Sequence, residues 1–262
     1  MGRPIVAAAG RSRFWPWLLP VLLVAAWQAG SSWGWINPLI LPSPWAVALR
    51  GLKMAGSGEL WTHLGISCLR AVGGFAVGAA LGLSLGFLTA TFRRLELLLD
   101  SSLQMFRTIP HLALVPMVII WFGIGEEARL FLIVCGVMFP IYLNTFHGIR
   151  AVDPQLVDMG RVYGLNRWQL WRQVILPGAL PSILVGVRFS LGVMWMTLIV
   201  AETIAADSGI GYMSINAREL MQTDVMVLSI LLYALLGKLA DVLARALERR
   251  WLAWRPLDRE AA

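Results

Sequence analysis

Cys68-Leu-Arg-Ala-Val-Gly-Gly74-Phe-Ala-Val-Gly78-Ala-Ala-Leu-Gly82-Leu-Ser-Leu-Gly86-Phe-Leu-Thr-Ala-Thr91 is the stretch that decides the fold. As a helix it spans the roughly 30 Å of a bilayer core, which takes about 20 residues. Gly74, Gly78, Gly82 and Gly86 recur every fourth position, so they share one helix face and let a second backbone approach closely. That is a helix-packing pattern; the spacing offers no phosphate-cradling loop.

The rest of the chain agrees. Hydrophobic residues make up 58% of its 262 residues and charged residues 14%, where a soluble domain carries about a quarter charged. Six candidate spans follow from apolar blocks at 14–31, 68–91, 105–123, 128–147, 184–205 and 225–246. The expected fold class is all-α, a polytopic membrane protein with one 1–262 unit and a core at 60–250. Arg3, Arg11 and Arg13 precede the first block as in a signal peptide, but Phe14 to Gly30 is long and lacks a small-x-small cleavage site, so it reads as an uncleaved span. Trp15, Trp17, Trp27, Trp33 and Trp35 bracket it as an interfacial belt does. Cys68 and Cys135 lie inside apolar runs and read as small packing residues.

The net charge of +7 comes from arginines set in short tracts between apolar blocks. That distribution suits an anionic membrane surface, and a nucleic-acid groove is not expected. With the N-terminus inside, Arg3, Arg11, Arg13, Arg93, Arg94, Arg150, Arg161, Arg167, Arg172, Arg245, Arg249, Arg250, Arg255 and Arg259 fall on the cytoplasmic side. Arg50, Lys53 and Arg218 fall opposite. Both termini are therefore expected in the cytoplasm. Ser31 to Trp61 is then an external connection, with Leu41-Pro-Ser-Pro44 breaking the chain before a short interfacial helix to about Met54. Pro110 and Pro116 in the third block predict a kinked span.

One cytoplasmic connection differs from the others. In Asp153-Pro-Gln-Leu-Val-Asp158-Met-Gly160-Arg-Val-Tyr-Gly164-Leu-Asn166-Arg-Trp-Gln-Leu170-Trp-Arg-Gln-Val174-Ile-Leu176-Pro177, Asp153 caps a helix that has Pro154 at its first position. Gly164 suits a left-handed C-cap. Asn166 starts a second short helix that Pro177 is expected to end. The coupling loop at 150–183 thus reads as a helix–turn–helix whose Leu156, Met159 and Tyr163 share an apolar face.

This loop resembles the EAA motif of ABC importer permeases, Glu-Ala-Ala, three residues, Gly, nine residues, Ile-x-Leu-Pro. Here Asp158-Met159-Gly160, Gly164 and Val174-Ile175-Leu176-Pro177 stand at the full spacing. Asp replaces Glu, Met-Gly replaces Ala-Ala and Val replaces Ile. Arg107-Thr-Ile-Pro-His111, Trp121-Phe-Gly-Ile-Gly-Glu126 and Phe139-Pro-Ile-Tyr-Leu-Asn144 resemble the nitrate, sulfonate, taurine and bicarbonate branch. Ile175-Leu-Pro-Gly-Ala-Leu-Pro181 and Leu198-Ile-Val-Ala-Glu202-Thr-Ile are most similar to aliphatic-sulfonate permeases. The resemblance implies an inner-membrane homodimer served by two cytoplasmic ATP-binding subunits and an external substrate-binding protein. It gives Asp158, Gly160, Gly164, Leu176 and Pro177 to ATPase coupling, and it leaves taurine, nitrate or a thiamine precursor as alternative substrates. A passive channel is a further alternative.

Polar groups within the spans need partners, since a charge at a span centre costs about 2.5–3.5 kcal/mol. Arg107 and His111 could line an anion path, but snorkelling of Arg107 and a helix-to-helix hydrogen bond of His111 explain them more simply. Asn144 reads as interhelical glue. Arg188 is expected to snorkel or to meet Asp158 or a lipid phosphate, and Lys238 to neutralise Asp241. Glu202 is either a gate residue or a packing carboxylate with an unidentified donor. No Walker A loop, paired metal-ligand spacing or nucleophile elbow occurs in the sequence, so neither enzyme activity nor a cofactor is expected and ATP must be hydrolysed by a partner.

Overall fold

A computed structural model describes residues 15–254, without side chains at 15–17, 100, 107 and 205. The expected readings of Arg3, Arg11, Arg13, Arg255 and Arg259 therefore fall outside the described residues. Helix α1 (Trp15–Ser32) is followed by α2 (Pro44–Ser57), capped by the Ser43 side chain on Ala46 N with Pro44 in the first turn. The glycine stretch lies in α3 (Glu59–Thr91), which starts well before Cys68. Next come α4 (Arg93–Thr108), a 3₁₀ turn at His111–Leu114, α5 (Val115–Phe122) and α6 (Glu126–Arg150). The loop carries α7 (Pro154–Val162) and α8 (Arg167–Leu170), and the chain returns through α9 (Leu176–Ala205), α10 (Ile210–Glu219) and α11 (Thr223–Trp251). No strand occurs among the described residues.

Among the described residues four helical runs are long and apolar enough to cross a membrane: Glu59–Thr91, Glu126–Arg150, Arg167–Ile204 and Thr223–Trp251. Leu18–Ser32 and His111–Phe122 are shorter apolar helices. The expected third span at 105–123 is thus two helices rather than one kinked helix. Ile109, ahead of Pro110, is extended at φ −76°, ψ 120°, because a residue before proline is driven out of the helical region.

The glycines set the core. An added Cβ at Gly74, Gly78, Gly82 or Gly86 would come within 3.0 Å of α6 side-chain or backbone atoms. Each glycine meets the α6 residue 59 positions on, Ile133, Val137, Ile141 and Thr145 in turn, so α3 and α6 run parallel with their backbones in close approach. Hydrocarbon tails solvate Leu as well as protein does, so this contact is held by dispersion across a fitted surface. On the other side of α6, α9 packs antiparallel through two further glycines: Gly148 against Ser182, and Gly186 against Asn144. Helix α11 covers α9, and α2 lays buried Val47 and Met54 on the main core while Trp45, Leu49 and Leu52 stay exposed.

Pro177 does not end the second loop helix as expected. Helix α8 runs through a π turn at Trp171–Ile175 directly into α9, with Leu176 N bonded to Trp171 O. A π turn shifts bonding by one residue, and that absorbs the N–H which proline lacks.

Candidate functional site

Three assemblies bring polar or exposed groups together. The first is the loop tip. The Asp153 side chain accepts from Gln155 N at 2.8 Å, and Asn166 and Gln169 close a capping box, each side chain accepting from the other's backbone N–H at 2.9 Å. Gly164 sits at φ +77° with nothing within 4 Å of where its Cβ would stand, so the turn needs a left-handed residue there. Gly160 is buried, and a Cβ on it would lie 2.7 Å from Leu170; this close approach locks α7 onto α8. Asp158 pairs with Arg161 at 2.9 Å on the exposed side. The apolar face points outward: Val162 is 86% exposed, Tyr163 79% and Trp168 73%. Leu156, Met159 and Leu176 are also exposed.

The second assembly lies at the opposite end of α3 and α6, and its organising cation, Arg70, was missed in the sequence reading. Arg70 is 4% exposed and bridges Glu126 and Glu202. It donates to Glu202 Oε1 at 2.9 Å and to Ser208 O at 2.6 Å, and its remaining guanidinium nitrogens bond the Glu126 carboxylate. Fully buried Glu202 also accepts from Ser67 Oγ at 2.8 Å, Gly211 N at 2.9 Å and the Tyr233 hydroxyl at 3.0 Å. Ser67 in turn accepts from Ile210 N, and His63 Nδ1 from Gly209 N. The free N–H groups opening α10 are thus satisfied by α3 and α9, and a carboxylate stands where a helix N-terminus favours one. Arg70 is the donor that the sequence left unidentified for Glu202. An arginine inside an otherwise apolar 68–91 block is the signal that could have found it.

The third assembly is a cavity of about 480 Å³ between α6, α9 and the break before His111. His111 and Asn144, which the sequence put forward as pathway residues, both line it. His111 Nε2 lies 2.9 Å from buried Thr197 Oγ1 on α9, a bond between helices as expected. Asn144 differs from the expected interhelical glue in its hydrogen bonds: its amide donates to Pro140 O one turn back on α6, and its bond to α9 is made by the backbone carbonyl, which accepts from Ser182 Oγ, while its Cβ packs on Gly186. The side chain of Arg107 lies outside the described residues.

Two further expectations are corrected. Arg188 meets Asp241 at 2.9 Å rather than Asp158, because α9 and α11 are antiparallel and bring those turns level. Asp241 is shared with Arg245 at 2.7 Å, one turn on, and Lys238 takes no part in that cluster. Cys68 and Cys135 carry free thiols. Among the described residues no group of three His, Cys, Asp or Glu side chains could hold a metal ion.

Comparison with known proteins places this geometry. The chain is 60% identical over 241 residues to SsuC of Escherichia coli, which bears the name of an aliphatic sulfonates transport permease, covering 92% of each protein. It is 46% identical to the Bacillus subtilis protein of the same name (91% of this chain, 86% of the relative) and 36% identical to the Escherichia coli taurine transport system permease protein (74% and 71%). In structure it resembles an amino acid ABC transporter at a TM-score of 0.63 and 18% identity, covering 76% of this chain and 97% of that one. It also resembles the methionine ABC transporter in an inward-facing form, at a TM-score of 0.54, 21% identity and 69% and 92% coverage. Residues 78–253 match the family model of the binding-protein-dependent transport system inner membrane component, and the chain belongs to that family of multi-pass ABC importer permeases.

Proposed function

We propose that the chain is the permease of an ATP-driven importer that carries aliphatic sulfonates from the periplasmic side to the cytoplasm. It would work as a pair, with two ATP-binding subunits beneath and a substrate-binding protein above. The observation that carries the drive mechanism is the loop tip. Val162, Tyr163 and Trp168 stand out on a rigidly capped helix–turn–helix, and exposed apolar surface of that kind marks a protein contact. The tip docks in the ATP-binding subunit. Asp158 and Gly164 set its charge and turn, Gly160 its internal packing, and Leu176-Pro177 joins it rigidly to α9. Closure of the ATPases then moves α9 and, through Gly148 and Gly186, α6. Such a pair is a two-state element biased from the cytoplasm.

Orientation rests on the arginine asymmetry, which puts the loop and both termini inside and the Arg70–Glu202 network at the outer end. The sulfonate assignment rests on the 60% and 46% identical relatives, against 36% for the taurine permease. No hydrolytic chemistry is assigned to the chain itself; its 262 residues form one permease unit. The test is reconstitution into vesicles with the ATP-binding subunits and the binding protein. ATP-dependent uptake of an alkanesulfonate is expected. Uptake that proceeds without ATP would make the chain a channel, and preferred uptake of taurine or nitrate would move the substrate assignment.

A further inference from the structure

The cavity holding His111 and Asn144 has a composition that suits one kind of cargo. Phe139, Leu143, Val185, Phe189 and Val193 supply its walls, and among the described side chains no carboxylate, lysine or arginine lines it. Its volume of about 480 Å³ falls in the usual range for small-molecule sites. The two polar side chains stand at different depths. An added Cβ on Gly136 would be 3.2 Å from His111 Nε2, so the imidazole lies level with Gly136. Asn144 is eight residues further along α6, about 12 Å at 1.5 Å per residue. Between them runs an apolar wall.

The His111 ring is held from one side only. Nε2 is engaged by Thr197, and Nδ1 has no hydrogen-bond partner among the described residues. In the tautomer in which Nε2 accepts from the Thr197 hydroxyl, the ring proton sits on Nδ1 and leaves one N–H donor for a ligand, and the proposal takes that tautomer.

We propose that this cavity is a transit site for alkanesulfonates, with the sulfonate head on His111 and the alkyl chain along Phe139 and Leu143 toward Asn144. The inference rests on the sulfonate reading above and names the residues that would measure the substrate's chain. Among the described side chains one N–H and no full cation meet the head, a weak hold that suits a site that must release what it binds. An ammonium at the tail end would find no carboxylate, so an aminosulfonate is disfavoured against a plain alkyl chain of similar length. Val185, exposed at the mouth, sets the room for the chain.

The test uses the full transporter in vesicles, with the binding protein saturated in turn with ethanesulfonate and octanesulfonate. Val185→Trp is expected to lower the octane-to-ethane uptake ratio about tenfold, since one misplaced methylene in an apolar pocket costs about that much. Val193→Phe, which narrows the same cavity from α9, is the second variant and is expected to act in the same direction. His111→Leu is expected to lower uptake of both sulfonates about tenfold or more, the scale of a lost hydrogen bond to a charged group, with the ratio kept. An octane-to-ethane ratio within about threefold of wild type in both cavity variants, well short of a methylene's worth, overturns the transit site. Absence of ATP-dependent sulfonate uptake in the unsubstituted transporter defeats the transport reading itself, a separate result seen before any variant is made.

Discussion

Replacing Glu202 by alanine tests whether the helix ends opposite the Asp153–Pro177 loop are held by one network. Its carboxylate accepts hydrogen bonds from Ser67, Arg70, Gly211 N and Tyr233, all at 2.8–3.0 Å. The substitution leaves those donors without their acceptor and leaves Arg70, 4% exposed, paired only through Glu126. A broken buried pair costs about 3–5 kcal/mol. Summing four orphaned donors at about 1–3 kcal/mol each gives a similar or larger total, but they share one acceptor, so the pair figure is the sounder one. For a chain of this length 1 kcal/mol shifts the midpoint by about 2–4 °C, so a fall of about 10 °C is expected. The 13 tryptophans make intrinsic fluorescence during heating in detergent a suitable readout. The double variant Glu202→Ala/Arg70→Met removes the uncompensated cation and is expected to lose less than the sum of the two single losses. A Glu202→Ala midpoint within about 2 °C of wild type, under 1 kcal/mol, would refute the reasoning, because buried, mutually bonded charges cannot be removed from one side that cheaply.

The remaining expectations concern packing and coupling. Gly82→Val places a branched side chain where Cβ alone would be 2.5 Å from Met138 O; a loss of about 1–3 kcal/mol or more follows from overpacking, read by the same thermal assay, and an unchanged midpoint would contradict the close α3–α6 contact. Gly164→Pro cannot adopt φ +77° and is expected to abolish ATP-dependent uptake with membrane insertion intact, measured in vesicles beside a membrane-fraction blot. Asp158→Lys should act the same way through charge, and full uptake in either variant would count against the docking role. Asn166→Ala removes the capping box of α8, worth about 1 kcal/mol, and is expected to raise proteolytic nicking of the loop at Arg167.

The helices were legible because their causes are local. Ser43-Pro44, Asp153-Pro154 and Asn166 each announce a helix start, and the structure caps α2, α7 and α8 with those side chains. The glycine period of four marked the α3 face that meets α6. What misled was also local. Pro177 reads as a stop, yet the π turn before it carries the helix through. Lys238 reads as the partner of Asp241, three residues away, yet the cations that meet it are Arg188 from another helix and Arg245 one turn on. A sequence scan ranks neighbours by spacing, and an ion pair is decided by distance.

By itself the sequence determined that the chain is helical, that it crosses a membrane repeatedly, and that its loop from Asp153 to Pro177 is a capped helix–turn–helix. These follow from hydropathy, residue period and capping chemistry, which act over a few residues. Only the tertiary structure decided that Arg70, Glu126 and Glu202 form one network, that α6 lies between α3 and α9, and that His111 and Asn144 share a cavity. Those partners lie tens to more than a hundred residues apart in the chain, and close backbone packing through glycine is what brings them within reach.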